Sequence, residues 1–268
     1  MLELEAYCLE NNLTVNIAKT KAMLLAGACT EAAALRRVQA ARLTFAGAPV
    51  PAVTQFTYLG VVLHSCQSLG ESAAAGRAAV ARYAAAQVDA RCEELGLETA
   101  RVMLMLFDTM VDSTLSYASA VWAPELAATA VARPAVGASR LSEPELQHLR
   151  FLRRLLGLPQ CTPTATLLAE AGQPPLHARW LQQAARFWNS LLDAPAGSLM
   201  QQTLDASLGL AAECSSSSGS SSSVPLSRQP WVAQLERGLR AVGVAFDPQQ
   251  CEQLDTDSVR RAALAQDL

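Results

Sequence analysis

The sequence predicts a mostly helical α+β chain with a small β remnant near its N-terminus. Three observations carry this. Half of the 268 residues are hydrophobic while 5% are aromatic, and much of the apolar fraction is alanine, which favours helix but buries little area per residue. Strand-like apolar–polar alternation and hairpin turns are read before Gly70. Beyond Gly70, apolar residues recur at helical spacing to the end. The expected core is thin.

The elements follow in order. Residues 2–10 read as the tail of a helix, stopped by Asn11-Asn12, because Asn tolerates the left-handed turn. Leu13 to Ile17 alternates like a strand, Lys19-Thr20-Lys21 is a polar turn, and Ala22 to Leu25 is a second short strand. Arg42 to Val53 holds the turn Ala46-Gly47-Ala48-Pro49 and reads as a hairpin. Gln55 to Leu63 reads as one strand, with Gly60 marking a bulge or a close approach.

Residues 70–95 then give an alanine-rich helix, and Glu98 to Trp122 one or two more, ended by Pro124. The small residues of 127–142 suggest a loose connection. Ser142 and Glu145 form a capping box for a helix over Glu143–Leu156, stopped by Gly157. Thr162-Pro163 opens a short helix through Ala171, and Leu176–Leu192 is a longer amphipathic one. Cys214–Ser223 is nearly pure serine, a flexible linker. Helices over 229–241 and 257–266 close the chain, the second capped by Asp257.

The net charge of −3 excludes a wholly basic nucleic-acid binder. Charge is nonetheless segregated. Between Arg133 and Arg186 the arginines outnumber Glu143, Glu145 and Glu170, whereas acids outnumber arginines beyond Pro230. Seven cysteines without a C-x-x-C fit neither a zinc site nor a disulfide framework. They read as reduced thiols of an intracellular protein, with nucleus and cytoplasm both open. Glu3, Glu5 and Glu10 do not suit a signal peptide, and no apolar run of membrane-spanning length is present.

Short blocks in a fixed order carry a resemblance. They are Leu13-Thr14-Val15-Asn16-Ile17-Ala18-Lys19-Thr20-Lys21, then Phe56-Thr57-Tyr58-Leu59-Gly60-Val61, then Tyr117-Ala118-Ser119-Ala120-Val121-Trp122. Leu149-Arg150-Phe151-Leu152-Arg153-Arg154-Leu155-Leu156-Gly157 follows, and Ala169-Glu170-Ala171-Gly172 with Pro175-Leu176 and Arg179-Trp180 ends the series. Together they resemble the region after the active site in LINE-type (non-LTR retrotransposon) reverse transcriptases. The resemblance spans residues 1 to about 195 and extends loosely into the last forty.

The resemblance implies an incomplete palm followed by a helical thumb. Residues 1–66 would be late palm and primer grip, 67–126 thumb, 127–142 the connection and 143–212 a post-polymerase helical region. The serine-rich linker would be 213–228 and the terminal helices 229–268. Lys19 matches the lysine that faces the incoming nucleotide's phosphates and helps pyrophosphate leave, with Lys21 beside it. Tyr58, Leu59 and Gly60 match the primer grip, where a backbone turn beside an aromatic holds the primer end. Read without the family, Lys19 is a solvated turn lysine and Tyr58 a buried strand residue. Tyr117 and Trp122 read as core anchors. Arg150, Arg153 and Arg154 stand at i, i+3 and i+4, a basic helix face that meets either phosphates or solvent.

Two departures qualify the resemblance. Asn11-Asn12 stands where the family shows Trp-Gly. No Asp-Asp occurs in the chain, and polymerisation needs paired carboxylates to hold two Mg²⁺ ions. Asp108 and Asp112 share a helix face without a turn to gather metal and read as structural.

The expectation is therefore a truncated, inactive member of the RNA-directed DNA polymerase family. It would need no cofactor, Mg²⁺ belonging only to an intact polymerase. Its partner would be an RNA–DNA or DNA template–primer duplex, held weakly, with no membrane and no small-molecule substrate. The alternatives are a helical protein-interaction module, or the downstream half of an intact reverse transcriptase whose start lies upstream of Met1.

Overall fold

Helix α1 (Leu2–Glu10) ends where Asn12 enters the left-handed region at φ 53°, as its sequence predicts. The computed structural model describes residues 2–25, 29–97, 99–132, 141–216 and 225–265. The protein is mostly helical with a few short strands, and the chain divides into two compact units, Met1–Ser72 and Ala73–Leu268. No helix of the described residues is long and apolar enough to cross a membrane.

In the first unit, the expected strand over Leu13–Ile17 does not form. The Asn16 carbonyl accepts from the Thr20 amide at 3.0 Å and the Thr20 hydroxyl at 2.9 Å, while its side chain accepts from the Lys19 amide at 3.2 Å. Such local bonding competes with a strand ladder. The second expected strand, Ala22–Leu25, reduces to one parallel bridge between Ala22 and Ala52. Helix α2 (Glu31–Ala40) has no counterpart among the sequence expectations. Thr30 caps it, its hydroxyl accepting from the Ala33 amide at 3.3 Å.

The hairpin expected over Arg42–Val53 is present as β1 (Thr44–Phe45) and β2 (Ala48–Pro49), closed by Ala46 and Gly47 at φ 47° and 77°. Gln55–Leu63 is not one strand. It is a second hairpin, β3 (Gln55–Tyr58) and β4 (Val61–His64), with Tyr58 paired to Val61. Gly60 is not a bulge, because Leu59 and Gly60 occupy a two-residue turn with φ 45° and 78°. Among the described residues of this unit, Cys8, Ala34 and Phe45 are the buried apolar ones.

Helix α3 (Leu69–Leu95) begins in the first unit and continues through the second. It buries Ala74, Ala78, Ala81, Val88 and Cys92 at helical spacing. Next come α4 (Ala100–Leu106), a π-helical stretch Phe107–Asp112 and α5 (Ser113–Leu115). Thr109, Ser113 and Thr114 each donate a side-chain hydrogen bond to the carbonyl four residues back. Back-bonding of this kind bends helices. Glu98, where the sequence would start this block, lies outside the described residues.

Ala118 at φ 55° breaks the path before α6 (Ser119–Trp122). Pro124 does not end the block. It occupies the first position of α7 (Pro124–Val131), where its missing N–H costs nothing. The loose connection expected over 127–142 therefore starts later than its composition suggests, and residues 133–140 lie outside the described residues.

Helix α8 (Glu143–Leu155) carries the expected capping box. The Ser142 amide and hydroxyl both donate to the Glu145 carboxylate, at 2.8 and 2.7 Å. Gly157 follows at φ 64°. Helix α9 (Thr164–Ala171) ends at Gly172, and α10 spans Leu176–Leu192. Helix α11 (Leu199–Ser216) runs into the serine tract expected to be a linker; residues 217–224 lie outside the described residues. Helices α12 (Trp231–Ala241) and α13 (Thr256–Ala265) close the chain. Asp255, not Asp257, caps α13, its carboxylate accepting from the Asp257 amide at 3.1 Å and from the Ser258 hydroxyl.

Helix α10 is the centre of the second unit and packs on α6, α7, α12 and α13. Its Trp180 and Trp188 are fully buried, and Trp180 meets Trp122 edge-on at 5.4 Å. Asn189 pins the approach to α13 by exchanging two 2.8 Å bonds with the backbone of Leu254. Trp122 is thus a core anchor, whereas Tyr117 is not: its ring is half exposed, with the Arg77 guanidinium 5.1 Å above it.

Candidate functional site

The residues singled out by sequence fall in both units. Lys19 and Lys21 flank the turn that Asn16 organises, and both side chains are exposed. Among the described residues no carboxylate pairs with either. The bridge at Ala22 ties this segment to the strand entering β3: the Ala22 amide donates to the Pro51 carbonyl, and Val53 donates back to Ala22, both at 2.9 Å.

Tyr58, Leu59 and Gly60 form the tip of the β3–β4 hairpin. Tyr58 is 59% exposed and Leu59 is 73% exposed. The reading of Tyr58 as a buried strand residue is therefore overturned. The left-handed turn at Leu59 and Gly60 leaves an aromatic and an aliphatic side chain exposed at the hairpin tip. An exposed ring in this setting can stack on a base or pack on a sugar.

Helix α8 separates its three arginines. Arg150 is exposed and has no acidic partner among the described residues. Arg154 pairs with Asp89 at 2.6 Å and lies over the Phe151 ring at 5.8 Å. Burial pushes the Asp89 carboxyl up, Arg154 opposes that, and Glu93 adds to it. Arg153 turns toward the Thr162 carbonyl at 3.4 Å, with its Nε buried and unbonded. The face is accordingly less basic than its composition suggests.

A further polar site lies where the sequence shows only structural carboxylates. Asp112, on the π-helical stretch, is 5% exposed and pairs through Oδ2 with Arg179 of α10. Its Oδ1 is buried without a hydrogen bond, as is the Ser116 hydroxyl one turn on. These groups line a cleft of about 450 Å³ that also presents Asp108, Arg186 and Arg260. Burial pushes the Arg179 guanidinium down from its ordinary value. Asp108 opposes this and Arg260 reinforces it.

The signal was available in the spacing. Asp108, Asp112 and Ser116 recur every four residues, and Arg179, Gln182, Gln183 and Arg186 mark one side of an otherwise apolar helix. Among the described residues no group of three or more His, Cys, Asp or Glu is placed to hold a metal ion. Comparisons with protein-family models, with curated proteins and with solved structures find no match to this chain.

Proposed function

We propose that this chain corresponds to the part of a LINE-type reverse transcriptase that follows the catalytic aspartates, and that alone it binds template–primer duplex weakly without polymerising. The observation that carries this reading is the β3–β4 tip. An ordinary strand would bury its tyrosine, whereas Tyr58 and Leu59 are offered to solvent on a tight left-handed turn. An aromatic beside a tight backbone turn is what the resemblance to a primer grip implies, and the order of the sequence block Phe56–Val61 supports that reading. The exposed lysines of the Asn16 turn precede it in the same unit. The 268 residues hold no Asp-Asp pair, the motif with which the resembled family would hold its two metal ions.

Fluorescence anisotropy with a labelled RNA–DNA duplex tests the reading. Lys19 and Lys21, both exposed in the first unit beside the hairpin, offer two contacts to phosphate. Two such contacts imply an affinity loss of about 12-fold between 50 and 200 mM salt. Lys19→Glu with Lys21→Glu should weaken binding and flatten the salt slope. Tyr58→Ala should weaken binding and leave the slope intact, because stacking releases no counterions. Absence of duplex affinity at 50 mM salt would instead favour a protein-interaction module. Primer extension by this chain with Mg²⁺ would overturn the proposal outright.

A further inference from the structure

The cleft between the Asp108–Ser116 stretch and α10 presents two kinds of unmet demand. Asp112 Oδ1 is a buried acceptor without a donor, and the Ser116 hydroxyl is buried without any partner. Leaving such groups unsatisfied is costly, more so for a charged one. In the same cleft, Arg186 and Arg260 are exposed guanidiniums that no carboxylate of the described residues pairs with. Arg260 is close enough to Arg179 to disfavour its protonated form. An anion between these arginines would relieve that repulsion, whereas an anion placed against Asp112 would be repelled.

The site's formal charge is +1, from three arginines and two aspartates. Its volume lies in the range of small-molecule sites. The sign of the demand thus changes across the cleft: a hydrogen-bond donor is wanted at its buried end and an anion at its arginine rim.

We propose that this cleft binds a small zwitterion, its ammonium group donating to Asp112 Oδ1 and Ser116 Oγ, and its phosphate or carboxylate held by Arg186 and Arg260. This goes beyond the reverse-transcriptase reading and does not depend on it. It also departs from the expectation that the chain takes no small molecule. The phosphate and carboxylate classes share this recognition, and guanidinium accepts either in bidentate fashion.

Isothermal titration calorimetry on the full chain provides the test. The probes are O-phosphoethanolamine and γ-aminobutyrate, with inorganic phosphate and ethylamine as single-charge controls. Saturable binding near 1 mM by at least one zwitterion is expected, at least about tenfold tighter than by either control. Arg186→Ala with Arg260→Ala changes two exposed side chains and should weaken that binding about tenfold or more, with the circular dichroism melt unchanged. Ser116→Ala should weaken the zwitterion while leaving phosphate binding alone. Phosphate binding as tightly as the zwitterions, zwitterion binding that survives the double arginine change, or no saturable heat for either zwitterion up to about 10 mM would each overturn the assignment.

Discussion

His148 shows how one buried side chain makes the stability of the fold depend on pH. It is 2% exposed on α8 and stacked on Phe107 at a centroid distance of 5.5 Å, with Nε2 buried and unbonded. Burial lowers its pKa to about 4, against a smaller opposing effect of Glu145. The folded protein therefore takes up this proton less readily than the unfolded chain, whose histidine titrates near 6.5. Between those two values the unfolded state binds more protons, so stability falls as pH drops from 6.5 toward 4. The shift corresponds to about 3 kcal/mol at most. Urea titrations at pH 7.5 and 4.5 should show this loss, and His148→Phe should reduce it. An unchanged pH slope in the variant would place the acid sensitivity elsewhere. At the same scale, Cys29 and Cys66 approach to 4.0 Å in the first unit, a contact that cysteine spacing gave no means of anticipating.

At the scale of the element, what the sequence made legible was whatever local chemistry decides. The capping box at Ser142 and Glu145, the stops at Asn12, Gly157 and Gly172, and the limits of α10 all follow from neighbouring residues. Ser142→Ala removes a cap whose loss costs about 1 kcal/mol. For a unit of this size that is a fall in melting temperature of roughly 2–4 °C by calorimetry. Glu145→Gln, which keeps an acceptor, should cost less. The misreadings have physical causes. Leu13–Ile17 has the period of a strand but no neighbour to complete a ladder, and the Asn16 turn takes its backbone. Pro124 is ambiguous in sequence because Pro both ends and begins helices, and only the next turn tells which. The carboxylate spacing is legible in sequence but its pairing is not, because the two halves of the polar cleft are about seventy residues apart and Asp112 meets its arginine on another helix.

For the whole molecule, the contrast between the units matters most. Residues 2–72 hold two short hairpins and bury Cys8, Ala34 and Phe45, whereas the second unit encloses three fully buried tryptophans and fully buried leucines on four or more helices. Isolated two-stranded hairpins are marginal in water. Amides of residues 2–66 should thus exchange with deuterium faster than those of α10 and α12, as the small burial there implies. Protection in β3 and β4 equal to that of α10 would contradict this. The placement of the tryptophans also decides how such opening can be seen. All four, Trp122, Trp180, Trp188 and Trp231, belong to the second unit. Indole emission therefore reports on that unit alone. A fluorescence melt would return a single transition even after the first unit had opened, its tyrosines contributing only a weak, short-wavelength signal. A lone indole installed by Tyr58→Trp at the solvent-exposed hairpin tip would give the first unit a reporter of its own.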